Sequence, residues 1–109
     1  MMRIKHYPET KIKSEIADIL NRHLGKRSYR AFFFGSRVMG KGSDLSDIDL
    51  GIEATRALPY DIVAKIREDL ENLPTLYSID VVDFKTVSPT FRKVALQKTE
   101  EIPLESEKL

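Results

Sequence analysis

The stretch "FFFGSRVMGKGSDLSDIDLGI", Phe32 to Ile52, is the part of this chain that says most about its fold. Three aromatic residues run into a glycine-rich loop, and the loop leads into a segment in which two aspartates alternate with apolar residues. Ionised carboxylates are costly to place on a buried strand unless a cation compensates them. We therefore expect a cation beside these two aspartates.

The alternation in "SDIDLGIEA" predicts a strand with two unlike faces. Because side chains alternate along a strand, Asp47, Asp49 and Gly51 share one face, and the apolar residues between them share the other. Two such aspartates lie about 6.5 to 7 Å apart along the strand. Carboxylates suit Mg²⁺, and two ions about 3.5 to 4 Å apart form the clamp used in nucleotidyl transfer. The residues thus favour Mg²⁺ as the compensating cation.

A two-metal site usually needs a further carboxylate, and "SIDVVDF" offers Asp80 and Asp83. On a strand, Asp80 shares its face with Val82 and Phe84, whereas Asp83 lies on the opposite face. Only one of the two can therefore meet Asp47 and Asp49. The alternation alone leaves that choice open.

The loop after the aromatic run supplies groups that suit phosphate. Gly35 allows a sharp turn and a close approach of the backbone to a ligand, and Ser36 brings a hydroxyl and an N–H. Arg37 and Lys41 add cations to the same loop. A glycine-rich loop after a strand is by itself a weak signal, but two aspartates on the next strand strengthen it.

The composition is that of a globular protein. The chain has 109 residues, 41% hydrophobic and 32% charged, which predicts one domain with one core. A formal charge of +1 gives no long-range field for nucleic acid, so direct nucleic-acid binding is not expected. The chain has no cysteine, signal sequence or membrane-length apolar run, so we expect a soluble cytoplasmic protein.

Over the whole chain, apolar periodicity and turn residues predict the order helix, strand, strand, helix, strand, helix. This order favours an α+β fold, with helices packed on one face of a small mixed sheet and an open cleft on the other. The predicted elements are a helix ending at Gly25, a strand ending at Phe34, the strand of "SDIDLGIEA", a helix starting at Pro59 and closed by Pro74, a strand from Leu76 to Phe84, and a helix from Pro89 to about Glu100.

Two details of the last segment are predicted from the same patterns. Ser88 is the expected N-cap of the last helix, and Phe91, Val94 and Ala95 are its expected inward residues. Residues 101–109 have little to bury and are expected to form a frayed tail. The domain core should therefore run from about 11 to 100.

The residues "GSRVMGKGSDLSDIDL" resemble the signature of the DNA polymerase β-like nucleotidyltransferase superfamily: Gly35-Ser36, ten residues, then Asp47-Ile48-Asp49. The chain is most similar to its minimal nucleotidyltransferase family, called MNT or MntA. The resemblance covers essentially the whole chain, as one minimal nucleotidyltransferase domain over 1–109. It implies the polymerase β-like fold, two Mg²⁺ ions (or Mn²⁺), and transfer of AMP or another nucleotide from ATP or a related triphosphate.

The resemblance also implies roles for individual residues. Gly35 and Ser36 match the phosphate-gripping pair, and Asp47 and Asp49 match the metal-bridging pair of the family. Asp80 matches the third carboxylate, which makes the choice that strand alternation leaves open. Arg37 and Lys41 are assigned to phosphate because they lie in the same loop.

Members of the family typically act as antitoxins of a HEPN-domain toxin and modify its tyrosine with AMP. The resemblance therefore implies a HEPN-domain toxin as partner and acceptor, in a type VII-like toxin-antitoxin pair. Two alternatives stay open at this point: an antitoxin that acts by binding without essential catalysis, and nucleotidylation of a small molecule.

Overall fold

The computed structural model describes residues 9–25, 27–35, 48–75 and 78–104. Helices and strands follow the predicted order, with one short strand added at the end. The elements are α1 (Glu9–Leu24), β1 (Tyr29–Phe34), β2 (Ile48–Ala54), α2 (Tyr60–Glu71), β3 (Ile79–Asp83), α3 (Pro89–Ala95) and β4 (Glu100–Glu101).

The four strands form one mixed sheet in the order β3-β2-β1-β4. β1 runs antiparallel to both β2 and β4, whereas β2 and β3 are parallel. Parallel neighbours need a crossover connection, and α2 lies in that connection. The predicted α+β class with a mixed sheet is confirmed.

Helix α1 ends where the glycine signal placed its end. Gly25 has a φ of +56°, the left-handed conformation common just after a helix, and its N–H donates to the Asn21 carbonyl at 2.9 Å. Basic side chains near this end join α1 to α2, since Arg22 and His23 both contact the Asp69 carboxylate.

Within the described part of the chain, no helix has the length and apolar character needed to cross a membrane.

Helices α1 and α2 cover one face of the sheet and form the larger core with it. Apolar stripes at helical spacing meet the apolar face of β2, as the alternation predicted. The fully buried residues of this core include Ile12, Ile16, Leu20, Leu24, Phe33, Ile48, Leu50, Ile52 and Ile66.

The other face carries a smaller aromatic cluster. The rings of Phe32, Phe34 and Phe84 pack edge to face, with centroids 4.9 to 6.3 Å apart. Helix α3 lies on this side, because Phe91 packs on two of these rings. The prediction that all helices pack on one face of the sheet is therefore wrong for α3. This helix lies on the opposite face and forms one side of the cleft there.

The last predicted helix is shorter than its pattern suggested. It ends at Ala95 rather than near Glu100, and Glu100–Glu101 pairs with β1 as an edge strand. Its predicted N-cap is confirmed, because the Ser88 hydroxyl accepts from the Phe91 N–H at 3.1 Å.

The prediction that the chain from residue 101 onward has little to bury is wrong for Ile102. Its side chain is only 3% exposed, and its N–H donates to the Ala31 carbonyl at 3.0 Å. The short strand β4 brings it over the larger core. Lys13 of α1 also contacts Glu100 at 2.5 Å, which ties this strand to the first helix.

The ends of α2 and β3 differ from the predicted ones by a few residues. Pro59 is the N-cap of α2 rather than its first helical residue, and the helix ends at Glu71, before Pro74. The Pro59 carbonyl accepts hydrogen bonds from the backbone N–H groups of Ile62 and Val63. The third strand starts at Ile79, so it is shorter than predicted. Such shifts are typical of element ends, which depend on capping contacts.

Candidate active site

Three strand ends meet where the sequence predicts the site. Asp49 is the second residue of β2, and in the sheet it lies between Phe34 of β1 and Asp80 of β3. Gly35 directly follows Phe34. The parallel register places Asp49 and Asp80 side by side, on strands about 4.8 Å apart. Gly35, Asp49 and Asp80 therefore lie together.

The Asp49 carboxylate lies against the backbone of Gly35. A Cβ added at Gly35 would overlap the Asp49 Oδ2 atom and stand 3.0 Å from its Cγ. Gly35 also has a φ of +87°, a conformation that L side chains rarely adopt. Glycine is thus required here both by the turn and by the space that the carboxylate occupies.

The structure separates the two aspartates of β3. Asp80 is exposed and lies beside Asp49, whereas Asp83 pairs with Ile52 at the far end of the strand. The Asp83 carboxylate accepts from two backbone N–H groups, those of Leu58 at 2.8 Å and Lys85 at 2.9 Å. Asp83 therefore fixes the chain before α2 and after β3, and it does not join Asp49.

A cavity of about 720 Å³ opens beside Asp49 and Asp80. Its lining combines a charged end with an apolar wall from α3 and β3. The charged side chains are Asp49, Asp80, Glu71 and Arg67, and the apolar side chains include Phe34, Val82, Phe91, Val94 and Ala95.

Arg67 and Glu71 are cavity residues that the sequence analysis did not single out. They lie one turn apart on α2, and β3 is an edge strand of the described sheet. Arg67 donates from Nη2 to the carbonyl of Val81 at 3.2 Å, one residue beyond Asp80. On a helix surface this spacing is typical of an ordinary ion pair, so the sequence carried no signal that either residue lines a cavity.

Four predicted site residues lie outside the part of the chain that the structure describes: Ser36, Arg37, Lys41 and Asp47. Within the described ranges, no group of three or more histidine, cysteine or acidic residues could hold a metal ion. The described donor set is the Asp49 and Asp80 pair. Two carboxylates at the mouth of an open cavity fit Mg²⁺, which takes carboxylate oxygens and keeps several waters.

Sequence comparison supports the resemblance. The family model "Polymerase beta, Nucleotidyltransferase" matches residues 14–108. A relative from Haemophilus influenzae, "Probable protein adenylyltransferase MntA", is 30% identical over 90 residues, which is 81% of this chain and 79% of the relative.

Solved structures share the fold. A toxin-antitoxin complex with AMP-PNP superposes with a TM-score of 0.62 at 19% identity, over 87% of this chain and 75% of that chain. A tri-AMPylated Shewanella oneidensis HEPN toxin in complex with MNT antitoxin gives a TM-score of 0.59 at 16% identity, over 90% and 75%.

The family match spans nearly the whole chain, and the fold and the strand ends that carry the motif agree with it. The nucleotidyltransferase class of enzyme predicted from the sequence is confirmed. The chain belongs to the polymerase β nucleotidyltransferase family, in its minimal, MntA-like branch.

Proposed function

We propose that this protein is an Mg²⁺-dependent protein adenylyltransferase that acts as an antitoxin. It transfers AMP from ATP to a tyrosine hydroxyl of a HEPN-domain toxin. The adenylyltransferase name of its relative and the AMPylated HEPN toxin held by a structural neighbour support this activity and this partner. The neighbour with AMP-PNP supports an adenine nucleotide as donor.

One observation carries the proposal. Asp49 and Asp80 are register partners on parallel strands, beside Gly35, and both line the same open cavity. This arrangement offers carboxylates to a metal-bound triphosphate on one side and to an acceptor hydroxyl on the other.

The residues on the loop side hold the donor nucleotide. Gly35 and Ser36 bind the phosphates through backbone N–H groups and the serine hydroxyl, and Arg37 and Lys41 neutralise phosphate charge. Asp47 and Asp49 would hold the metal ion that accompanies the triphosphate. Because Asp49 lies against Gly35, the phosphates are gripped next to the carboxylates.

Asp80 serves the acceptor. Its carboxylate accepts a hydrogen bond from the tyrosine hydroxyl and takes its proton. The hydroxyl oxygen forms a bond to the α-phosphorus, the bond from that phosphorus to the bridging oxygen of the β-phosphate breaks, and pyrophosphate leaves. Asp47, Asp49 and Asp80 would hold Mg²⁺ or Mn²⁺, which neutralises triphosphate charge and lowers the pKa of the acceptor hydroxyl.

The test is intact-mass spectrometry of a HEPN-domain protein incubated with this protein, Mg²⁺ and ATP. We expect a gain of one or more AMP units with the wild-type protein and none with Asp49→Asn. Asp61→Asn is the control, because Asp61 is an exposed carboxylate in the first turn of α2. It should transfer at the wild-type rate.

The alternative antitoxin mechanism gives a different result. If the wild-type protein forms a stable complex with the HEPN-domain protein but adds no mass, inhibition by binding replaces catalysis. Transfer of labelled AMP to a small hydroxyl compound without any protein acceptor would instead favour a small-molecule substrate.

A further inference from the structure

The apolar stripe of α3 packs on the aromatic cluster through Ala95 and the Phe91 ring, and it borders the candidate active-site cavity through Phe91 and Val94. Phe91, Val94 and Ala95 follow helical spacing, which predicted inward positions. In the structure Phe91 is 42% exposed and Val94 is 60% exposed, and both line the cavity that contains Asp49 and Asp80. Exposed apolar surface beside reactive groups is typical of a binding site.

The part of the apolar wall that α3 supplies, Phe91 and Val94, is fixed by three contacts of that helix. The Ser88 cap fixes the start of α3, and the Phe91 ring packs on Phe34 and Phe84 with centroids 6.0 Å away. Arg92, on the same helix, forms an ion pair with Glu53 of β2. The exposed side chains are therefore presented by a fixed helix, and binding to them requires little ordering.

The position of the wall points to the acceptor rather than to the nucleotide. The wall joins the Asp80 strand, because Val82 follows Asp80 on the same face and packs with the aromatic cluster beneath α3. From there it continues outward to Val94, which is mostly exposed at the cavity rim. A surface that runs from the inside of a cavity onto the exterior suits a protein segment better than a free nucleotide.

We propose that Phe91 and Val94 bind the tyrosine-bearing segment of the acceptor protein. The tyrosine ring lies against Phe91, its hydroxyl points toward Asp80, and a neighbouring apolar group of the acceptor covers Val94. This inference rests on the proposed function, because it assumes a protein acceptor. Aromatic rings pack well edge to face, so Phe91 favours a phenol side chain over an aliphatic hydroxyl.

The test compares two titrations. At saturating ATP, Val94→Ser should raise the KM for the HEPN-domain acceptor about tenfold, as expected for removing methyl groups from an apolar site. At saturating acceptor, the KM for ATP should stay unchanged. Val94→Ile, which keeps the apolar surface, should behave like wild type.

Tyr60→Ser is the matched control. Tyr60 is 84% exposed on α2 and is not part of the cavity lining, so losing it should change neither KM. If Val94→Ser proves unstable, Val94→Thr provides a second variant, since it keeps the branched shape and adds a hydroxyl to the same surface. Melting temperatures of all variants show which of the two to use.

Two kinetic results would overturn the inference. An unchanged acceptor KM in the Val94 variants excludes acceptor contact, and a raised KM for ATP instead assigns the wall to the nucleotide. If the wild-type protein transfers no AMP, the proposed function fails separately. In that case the docking surface is tested by the dissociation constant of the complex with the HEPN-domain protein, measured without ATP. Equal affinities of the wild-type and Val94→Ser proteins would overturn the docking surface.

Discussion

The Asp49 carboxylate occupies the space that a side chain at Gly35 would need. The chain turns at Gly35 with a φ of +87°, so the first residue of the candidate phosphate-binding loop lies against Asp49, a candidate metal ligand on the next strand. In the described residues, Gly35 and β2 meet at this contact. A change at Gly35 should therefore affect chemistry as well as folding.

Gly35→Ala should lower the transfer rate about 100-fold, because the new methyl displaces the Asp49 carboxylate from its position. It should also lower the free energy of unfolding by about 1 to 3 kcal/mol, from the strained φ. Gly25→Ala is the matched control. Gly25 also has a positive φ, of +56°, but a Cβ there has nothing within 4 Å. Turnover assays and urea titrations should show strain in both variants and lost activity in Gly35→Ala alone; equal activities would contradict the coupling.

The two aspartates of β3 should separate activity from stability. Asp80→Asn should reduce transfer at least about 100-fold and leave the melting temperature unchanged or higher, because it removes a carboxylate facing Asp49. Asp83→Asn should keep its activity but lose roughly 1 to 2 kcal/mol of stability, since an amide replaces the acceptor of two backbone N–H groups. The reverse pattern would show that Asp83 is the third carboxylate.

Gly51→Ala should destabilise the sheet by overpacking. A Cβ at Gly51 would stand 2.5 Å from the Phe32 ring and 2.7 Å from the Phe84 ring. We expect a loss of about 1 to 3 kcal/mol in urea denaturation. Phe32→Leu should relieve part of this clash, so the double variant should lose less stability than the two single losses together. Strict additivity would mean that the methyl group is accommodated elsewhere.

The contact between α1 and α2 should make stability fall in acid. The hydrogen bond from His23 holds the pKa of Asp69 below its ordinary value of 3.8; burial opposes this, and the charges of His23 and Arg22 add to it. A lowered folded-state pKa means that this stabilisation is complete above pH 3.8 and is lost as the pH falls through the folded-state pKa. Melting temperatures between pH 6 and 2.5 should show this loss in the wild-type protein.

Asp69→Asn should have a lower melting temperature near neutral pH and a shallower decline in acid. Asp61→Asn serves as the comparison, because this exposed carboxylate starts α2 and does not reach α1 through any contact found in the described residues. It should retain the full acid decline. Parallel curves for the wild-type and Asp69→Asn proteins would contradict the assignment of that decline to Asp69.

The features that depend on local pattern could be predicted from the sequence. Helical spacing and Gly25 placed α1, the alternation around Asp49 placed β2 with its apolar residues inward, and Ser88 placed the start of α3. The spacing of the motif was sufficient to identify the family. The structure agrees with these predictions because a strand face or a helix cap depends on residues that are close together in the chain.

Features that depend on residues far apart in the chain became visible only in the folded protein. Strand alternation could not choose between Asp80 and Asp83, whereas the parallel register with β2 brings Asp80 alone beside Asp49. Strand β4 exists because β1 offers it an open edge, and no local pattern encodes such an edge. The spacing of Phe91 and Val94 identified an apolar helix face, but periodicity does not specify what that face meets. In the described residues, that face lines a cavity together with residues of β3, an edge strand of the sheet.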